Sequence, residues 1–238
     1  MNSSSRPAAH DAQTLSFYGN EAEAYAGRAR GDATTNKRLE RFLAKLSAGA
    51  RILELGCGGG QDAEAMIRAG FDVTPTDGSP ELARVAEKRL RREVKVLRFE
   101  DLDEKDAYDA VWANACLLHV PAERLADVLA NIHAALKPDG LFYASYKEGQ
   151  GEGRDSLGRY YNFPPRNRLA AIYRDAAPWR DFMLDESASG GYDGVPRTFP
   201  QVNARPKHGP RRRDISPSAR VSWHFPPETR RLQEHGYL

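Results

Sequence analysis

Between Arg51 and Ala83 the chain reads RILELGCGGGQDAEAMIRAGFDVTPTDGSPELA. Gly56, Gly58 and Gly60 stand at alternate positions directly behind an apolar run, and Asp77 follows after a second such run. Glycines let a backbone approach a ligand closely, and a helix that begins just past them offers free N–H groups. A carboxylate can accept two hydrogen bonds at once, and charged acceptors are the stronger kind. Two chemistries start this way: hydride transfer from a dinucleotide and methyl transfer from a sulfonium donor. The dinucleotide spacing G-x-G-x-x-G fails from Gly56, because position 61 is Gln, but fits from Gly58 with Ala63 as its last residue. Glu54, two residues ahead of the first glycine, opposes a pyrophosphate and favours a cationic ligand.

The elements that must hold these residues alternate strand and helix signals, as in a parallel sheet covered on both faces. Strands are expected at Arg51–Leu55, Phe71–Thr76, Val94–Phe99, Tyr108–Ala115 and Gly140–Tyr146. Gln61–Ala69 reads as a helix stopped by Gly70, and Ser79 with Pro80 and Glu81 reads as the start of the next. Leu125, Val128, Leu129, Ile132 and Leu136 fall on one face of a helix that ends near Lys137. A polar loop (Lys147–Asn162), a helix (Pro165–Asp175) and two weaker strands (Phe182–Ser187, Thr198–Ala204) complete the pattern. Asn20–Arg30 and Asn36–Ser47 read as two helices ahead of the first strand.

The 238 residues are 40% apolar and 29% charged, which suits a globular fold with a real core. No apolar run is long enough to span a membrane, and the N-terminus lacks a secretory pattern, so a cytoplasmic location is expected. Two cysteines, Cys57 and Cys116, make no disulfide framework. From Pro206 onward seven Lys/Arg face three Asp/Glu among five prolines, whereas the rest carries 28 basic and 30 acidic residues. The expected organisation is a flexible stretch over 1–16, a body over 17–205 with a helical lid at 17–48, and a disordered basic tail over 206–238. The main body is therefore no basic nucleic-acid footprint.

Taken in order, ILELGCGGG, TD, FEDL, YDAVWANACLLHV and LKPDGLFYAS resemble the class I S-adenosylmethionine-dependent methyltransferases, from roughly Tyr18 to Arg205. The loop at Lys147–Asn162 is similar to those near the tellurite-resistance and small-molecule types. The resemblance implies a Rossmann-like seven-stranded, mostly parallel sheet with helices on both faces and S-adenosylmethionine across the strand ends. It implies that Gly56, Gly58 and Gly60 line the methionine and ribose portion, with Cys57 contributing backbone and Glu54 orienting the amino-acid end. Asp77, followed by Gly78 and Ser79, takes the ribose hydroxyls. Asp101 with Leu102 takes the adenine, with Glu100 as the fallback. Asn114 and Ala115 lie beside the sulfonium. Here NACL replaces the Asn/Asp-Pro-Pro-Tyr motif of the branch that methylates DNA bases and glutamine side chains, which disfavours that branch.

Tyr18, Tyr25 and Arg28 belong to a segment like the N-terminal lid of small-molecule methyltransferases, where a Tyr covers the methionine end. Ordinary helix packing accounts for them equally. His119 is the candidate base for a hydroxyl or amine acceptor, though a hydrogen-bonded structural histidine would look the same. Arg154, Arg159, Tyr160 and Tyr161 are candidates to fold over the acceptor, or else structural pins. The expected partner is a small-molecule acceptor, with no metal and no membrane. The alternatives are an RNA methyltransferase that uses the basic tail and a non-catalytic S-adenosylmethionine-binding protein.

Overall fold

The computed structural model describes residues 8–27, 33–147, 149, 151–190 and 196–207, with backbone alone at 33–36, 187–190 and 196–199. Three helices come first: α1 (Ala12–Asn20), α2 (Ala22–Gly27) and α3 (Ala33–Leu43). Then follow β1 (Arg51–Leu55), α4 (Gln61–Arg68), β2 (Asp72–Asp77), α5 (Pro80–Leu90), β3 (Lys95–Val96) and β4 (Tyr108–Ala113). The second half holds α6 (Ala122–Ala135), β5 (Leu136–Ser145), β6 (Gly151–Arg154), β7 (Tyr160–Phe163), α7 (Arg166–Ala176), β8 (Trp179–Gly190) and β9 (Pro196–Pro206).

Seven strands form one sheet in the order β3-β2-β1-β4-β5-β9-β8, and β6 pairs with β7 apart from it. The pairings among β1 to β5 are parallel, and β9 runs antiparallel to both β5 and β8. Strand order reverses between β1 and β4, which opens a crevice at their carboxyl ends.

Alternation along the strands explains the two covered faces. Ile52, Ala110, Trp112, Leu141 and Tyr143 pack with Leu39 and Phe42 of α3 and with Ala63 and Met66 of α4. Leu53, Val111, Ala113, Phe142 and Ala144 point the other way, onto α6 and α7. Successive strand residues thus reach opposite layers, and both layers are apolar.

Most expected elements fall in place, with differences at their ends. Ser79 caps α5, its hydroxyl accepting from the Leu82 N–H at 3.3 Å. β3 keeps only two residues, because the chain turns into a short 3-10 helix at Phe99–Asp101. Helix α6 stops at Ala135, since Leu136 already pairs with Tyr108 of β4. The polar loop contains the β6–β7 hairpin. The boundary expected at residue 16 is displaced: Asp11 caps α1 through the Thr14 N–H at 2.8 Å, and Ala9 is fully buried. Beyond Lys207 the basic tail lies outside the described residues. Among the described residues no helix is long and apolar enough to cross a membrane, and no group of three or more His, Cys, Asp or Glu could hold a metal ion.

Candidate active site

A cavity of about 610 Å³, open mouth included, sits at the carboxyl ends of β1, β2 and β4. Its floor is Gly56 and Gly58 after β1, Asp77 and Gly78 at the end of β2, and Ala115 after β4. Its roof is α1 and α2, through Thr14, Leu15, Tyr18 and Tyr25. Gly56 has φ +64°, and a Cβ there would stand 2.6 Å from the Cys116 Cβ. Only glycine lets the turn after β1 pass this close to the loop after β4. Ala115 shares the left-handed backbone at φ +54°, and its N–H donates to the Ser145 hydroxyl at 2.9 Å.

Asp77 is buried, and its two carboxylate oxygens accept the N–H groups of Gly58 and Ser79, each at 2.9 Å. A carboxylate oxygen can accept from more than one donor. A vicinal diol supplies two such donors. Leu15, Leu82, Leu97 and Phe99 give the neighbouring wall an apolar character suited to a flat heterocycle. The first turn of α4, where a pyrophosphate would seek positive dipole, carries Asp62 and Glu64 instead. Asp62 is buried and accepts from Trp112 Nε1 and Asn114 Nδ2, both at 3.0 Å. These residues fit S-adenosylmethionine, with its ribose diol, flat adenine and cationic end, better than a dinucleotide.

His119 lines the cavity with a fixed tautomer. Its Nδ1 lies 2.6 Å from the Tyr160 carbonyl, which can only accept, so Nδ1 carries the proton. Nε2 then accepts from the Tyr18 hydroxyl at 2.9 Å, and that hydroxyl in turn accepts from Arg159 Nη1 at 3.2 Å. Burial pushes the His119 pKa down to about 4; the Tyr160 carbonyl opposes this, and the Arg159 and Lys147 charges reinforce it. The ring is neutral at physiological pH. The same burial raises the Tyr18 hydroxyl well above its ordinary value.

Of the expected cofactor residues, Tyr18, Tyr25, Gly56, Gly58, Asp77, Gly78 and Ala115 meet at the cavity. The others do not line it. The Cys57 side chain packs with Ala83, Ala86 and Val94, and a Cβ on Gly60 would face Ala86 and Leu90, so both serve the α4–α5 contact. Glu54 is buried within β1, Ser79 is spent as a helix cap, and Leu102 belongs to the core beside α6. Asp101 is exposed; Glu100 lies 2.5 Å from His10 Nδ1. Asn114 is held between Asp62 and the Ser145 hydroxyl, which donates to it at 2.8 Å. Arg28 lies outside the described residues.

The four residues expected either at the acceptor or as structural pins are found bracing the roof. Arg154 grips both carboxylate oxygens of Asp11, at 3.0 and 2.7 Å. The Tyr160 N–H donates to Thr14 Oγ1 at 2.8 Å. Arg159 is 1% exposed, paired with Asp155 at 2.6 Å and enclosed by the rings of Phe17, Tyr18 and Tyr161. The hairpin is thereby latched to α1. The Arg154 side chain also holds the Asp11 carboxyl down at about pKa 2. Eight lining residues escaped sequence reasoning: His10, Thr14, Leu15, Leu82, Leu97, Arg98, Phe99 and Cys116. The one readable signal was Asp11, an N-cap residue ahead of α1.

Residues 25–178 match the model of a family described as a methyltransferase domain. Over 119 residues, 45% of this chain and 48% of the relative, the sequence is 40% identical to a ubiquinone biosynthesis O-methyltransferase of Xanthomonas campestris pv. campestris. The chain thus spans about half the length of the curated relatives it matches. The fold is similar to that of 1,6-didemethyltoxoflavin-N1-methyltransferase from Burkholderia thailandensis, solved with 1,6-didemethyltoxoflavin and S-adenosylhomocysteine bound. That match has TM-score 0.67 and 24% identity, over 87% of this chain and 94% of the other. The N-methyltransferase NodS of Bradyrhizobium japonicum, also solved with S-adenosylhomocysteine, superposes with TM-score 0.60 at 14% identity, over 83% of this chain and all of the other. With the motifs, the fold and the family match in agreement, the chain belongs to the class I S-adenosylmethionine-dependent methyltransferases.

Proposed function

We propose that the protein methylates an oxygen or nitrogen atom of a small molecule, working in the cytoplasm. The observation that carries the acceptor class is the roof: α1 and α2 close the cavity over Asp77 and the glycine turn, which suits a small acceptor and not a polymer. The curated relatives and the toxoflavin enzyme have names that point to oxygen and nitrogen nucleophiles rather than the tellurite-resistance type. The buried thiols of Cys57 and Cys116 form no disulfide, which suits a reducing compartment.

When bound, S-adenosylmethionine supplies a methyl group already activated on sulfur. Asp77 would hold the ribose, and the wall of Leu82, Leu97 and Phe99 the adenine. Tyr18 and Tyr25 would cover the other end and exclude water. Positioning of this kind lowers a barrier by roughly 7–11 kcal/mol in favourable cases. His119 is neutral and oriented, so its Nε2 can accept an acceptor's proton once Tyr18 yields the position. The decisive experiment incubates the protein with methyl-deuterated S-adenosylmethionine and a metabolite extract, and follows products by mass spectrometry. A small molecule three deuteriums heavier than its methylated form supports the reading. Label found only in RNA, or cofactor binding without any labelled product, sinks it.

A further inference from the structure

A second cleft, of about 1040 Å³ with its open mouth included, lies between α3 and the strands β5, β8 and β9. It shares no lining residue with the cofactor cavity. Lys37 and Arg41 are four residues apart on α3, so their side chains rise on one side of the helix, and Lys45 joins them from the turn that follows it. Arg38 stands beside them. The acids on the wall are Asp185 and Glu186, and Glu186 is already paired with Arg166 at 2.6 Å. Basic side chains therefore outnumber acidic ones by two to one around the cleft.

Arg38 sets this cleft apart from a solvated basic face. The residue is only 9% exposed, yet among the described residues its Nε and Nη2 make no hydrogen bond of normal geometry. These two N–H groups share one edge of the planar guanidinium, the edge that meets two oxygens of one anion side by side. The neighbouring Tyr143 hydroxyl is buried against the Arg38 guanidinium and likewise short of a hydrogen bond of normal geometry. Its ring is fixed by stacking on Trp112, with centroids 4.1 Å apart. A buried cation that meets only a neutral hydroxyl is costly, so such a group is kept where an anion completes it. Burial also lowers the Lys45 pKa, with Arg205 adding to the effect, as expected of a rim short of negative charge.

We propose that this cleft is an oxyanion site whose ligand carries a phosphate group. Arg38 is its bidentate anchor, Tyr143 a third donor, and Lys37, Arg41 and Lys45 its charged rim. The site is separate from the methyl-transfer cavity, so the proposal stands whatever the acceptor proves to be.

The test titrates the full chain with inorganic phosphate, followed by calorimetry and thermal unfolding, against sodium chloride at matched ionic strength. Saturable binding and a rising Tm are expected with phosphate alone. Arg38→Gln should weaken phosphate about tenfold or more, the loss of a charged, paired contact. Asp77→Asn should leave phosphate affinity unchanged while weakening S-adenosylhomocysteine. Should Arg38→Gln fail to fold, Lys37→Ser with Arg41→Ser, both at exposed positions, should still weaken phosphate several-fold. Equal stabilisation by chloride overturns the proposal, as does wild-type phosphate affinity in the folded variants. Loss of phosphate binding in Asp77→Asn alone would move it to the cofactor cavity and also overturn the assignment. Tighter binding of malonate than of phosphate would overturn the choice of ligand class.

Discussion

Asp77 and His119 govern the cavity by different means. Asp77 presents a buried carboxylate already braced by two backbone N–H groups, so its lone pairs toward the cavity are aimed in advance. Replacing it by Ala removes two charge-assisted contacts, each worth about 1.5–3 kcal/mol. Calorimetry with S-adenosylhomocysteine should therefore register an affinity at least about a hundredfold weaker. His119 acts through its neutrality. Its folded pKa, about 4, lies below the ordinary 6.5, so the unfolded chain takes up the proton first as pH falls. The stability it contributes is complete above the unfolded value and is lost as pH drops from there toward 4. Urea unfolding at pH 7.5 and 4.5 should differ by about 2–3 kcal/mol from this residue, and His119→Gln should remove that share. By the same logic, kcat/KM between pH 5.5 and 8.5 should show no limb that disappears in the Gln variant. An inflection near the ordinary histidine value, abolished by that change, would contradict the neutral ring.

At the scale of elements, the roof is held by two contacts that belong to different parts of the chain. Helix α2 rests on the glycine turn: a Cβ on Gly59 would stand 2.8 Å from Ala26 Cβ, and Gln61 Nε2 donates to the Ala26 carbonyl at 3.0 Å. Gly59→Ala should lift α2, costing about 1–3 kcal/mol at that contact. Cofactor affinity should fall roughly tenfold while the Tm moves only a few degrees. Helix α1 is held by the hairpin. Arg154→Ala should cost little stability, since an exposed pair is screened by solvent, yet speed proteolysis within residues 8–27 and raise the cofactor off-rate. Stopped-flow release of S-adenosylhomocysteine would detect this. Elements of this kind were the hardest to read in advance. The strands β1, β2 and β4 declared themselves because burial on both faces demands continuous apolar runs. The carboxylate of Asp77 was legible because residue type and spacing both specify it. Helix α1, AQTLSFYGN, has no apolar stripe, and GEGR and YYNF earn their strand character only from each other. For Arg154 and Arg159 residue type alone therefore leaves acceptor contact and structural pin equally open, and it is their contacts to residues 11, 17 and 18 that show the pinning.

Across the whole molecule, the basic excess is confined to residues from 206 onward, while the preceding body is slightly acidic. A chain shortened after His208 keeps every residue of the cavity. It should bind S-adenosylhomocysteine with wild-type affinity and methylate a small acceptor at an unchanged rate. Loss of turnover, or of a salt-dependent step, in that shortened chain would assign the tail a part in acceptor capture. The seven-stranded sheet gives the two clefts separate supports: one uses the carboxyl ends of β1, β2 and β4, the other the far flank at β5, β9 and β8. One buried chain of contacts, Trp112 to Asp62 to Asn114 to Ser145 to the Ala115 N–H, runs from the Tyr143 stack to the cavity floor.

The latch between α1 and the hairpin also bears on synthesis of the protein. Thr14 waits for the N–H of Tyr160, which is 146 residues further along, and Asp11 waits for Arg154 across 143. At about 5–20 residues per second, a ribosome takes roughly 7–30 s to cover that distance. Through that interval the earliest helix can meet α2 and α5 but lacks both contacts of the latch. The roof over Asp77 is therefore completed only late in synthesis, after the hairpin has emerged.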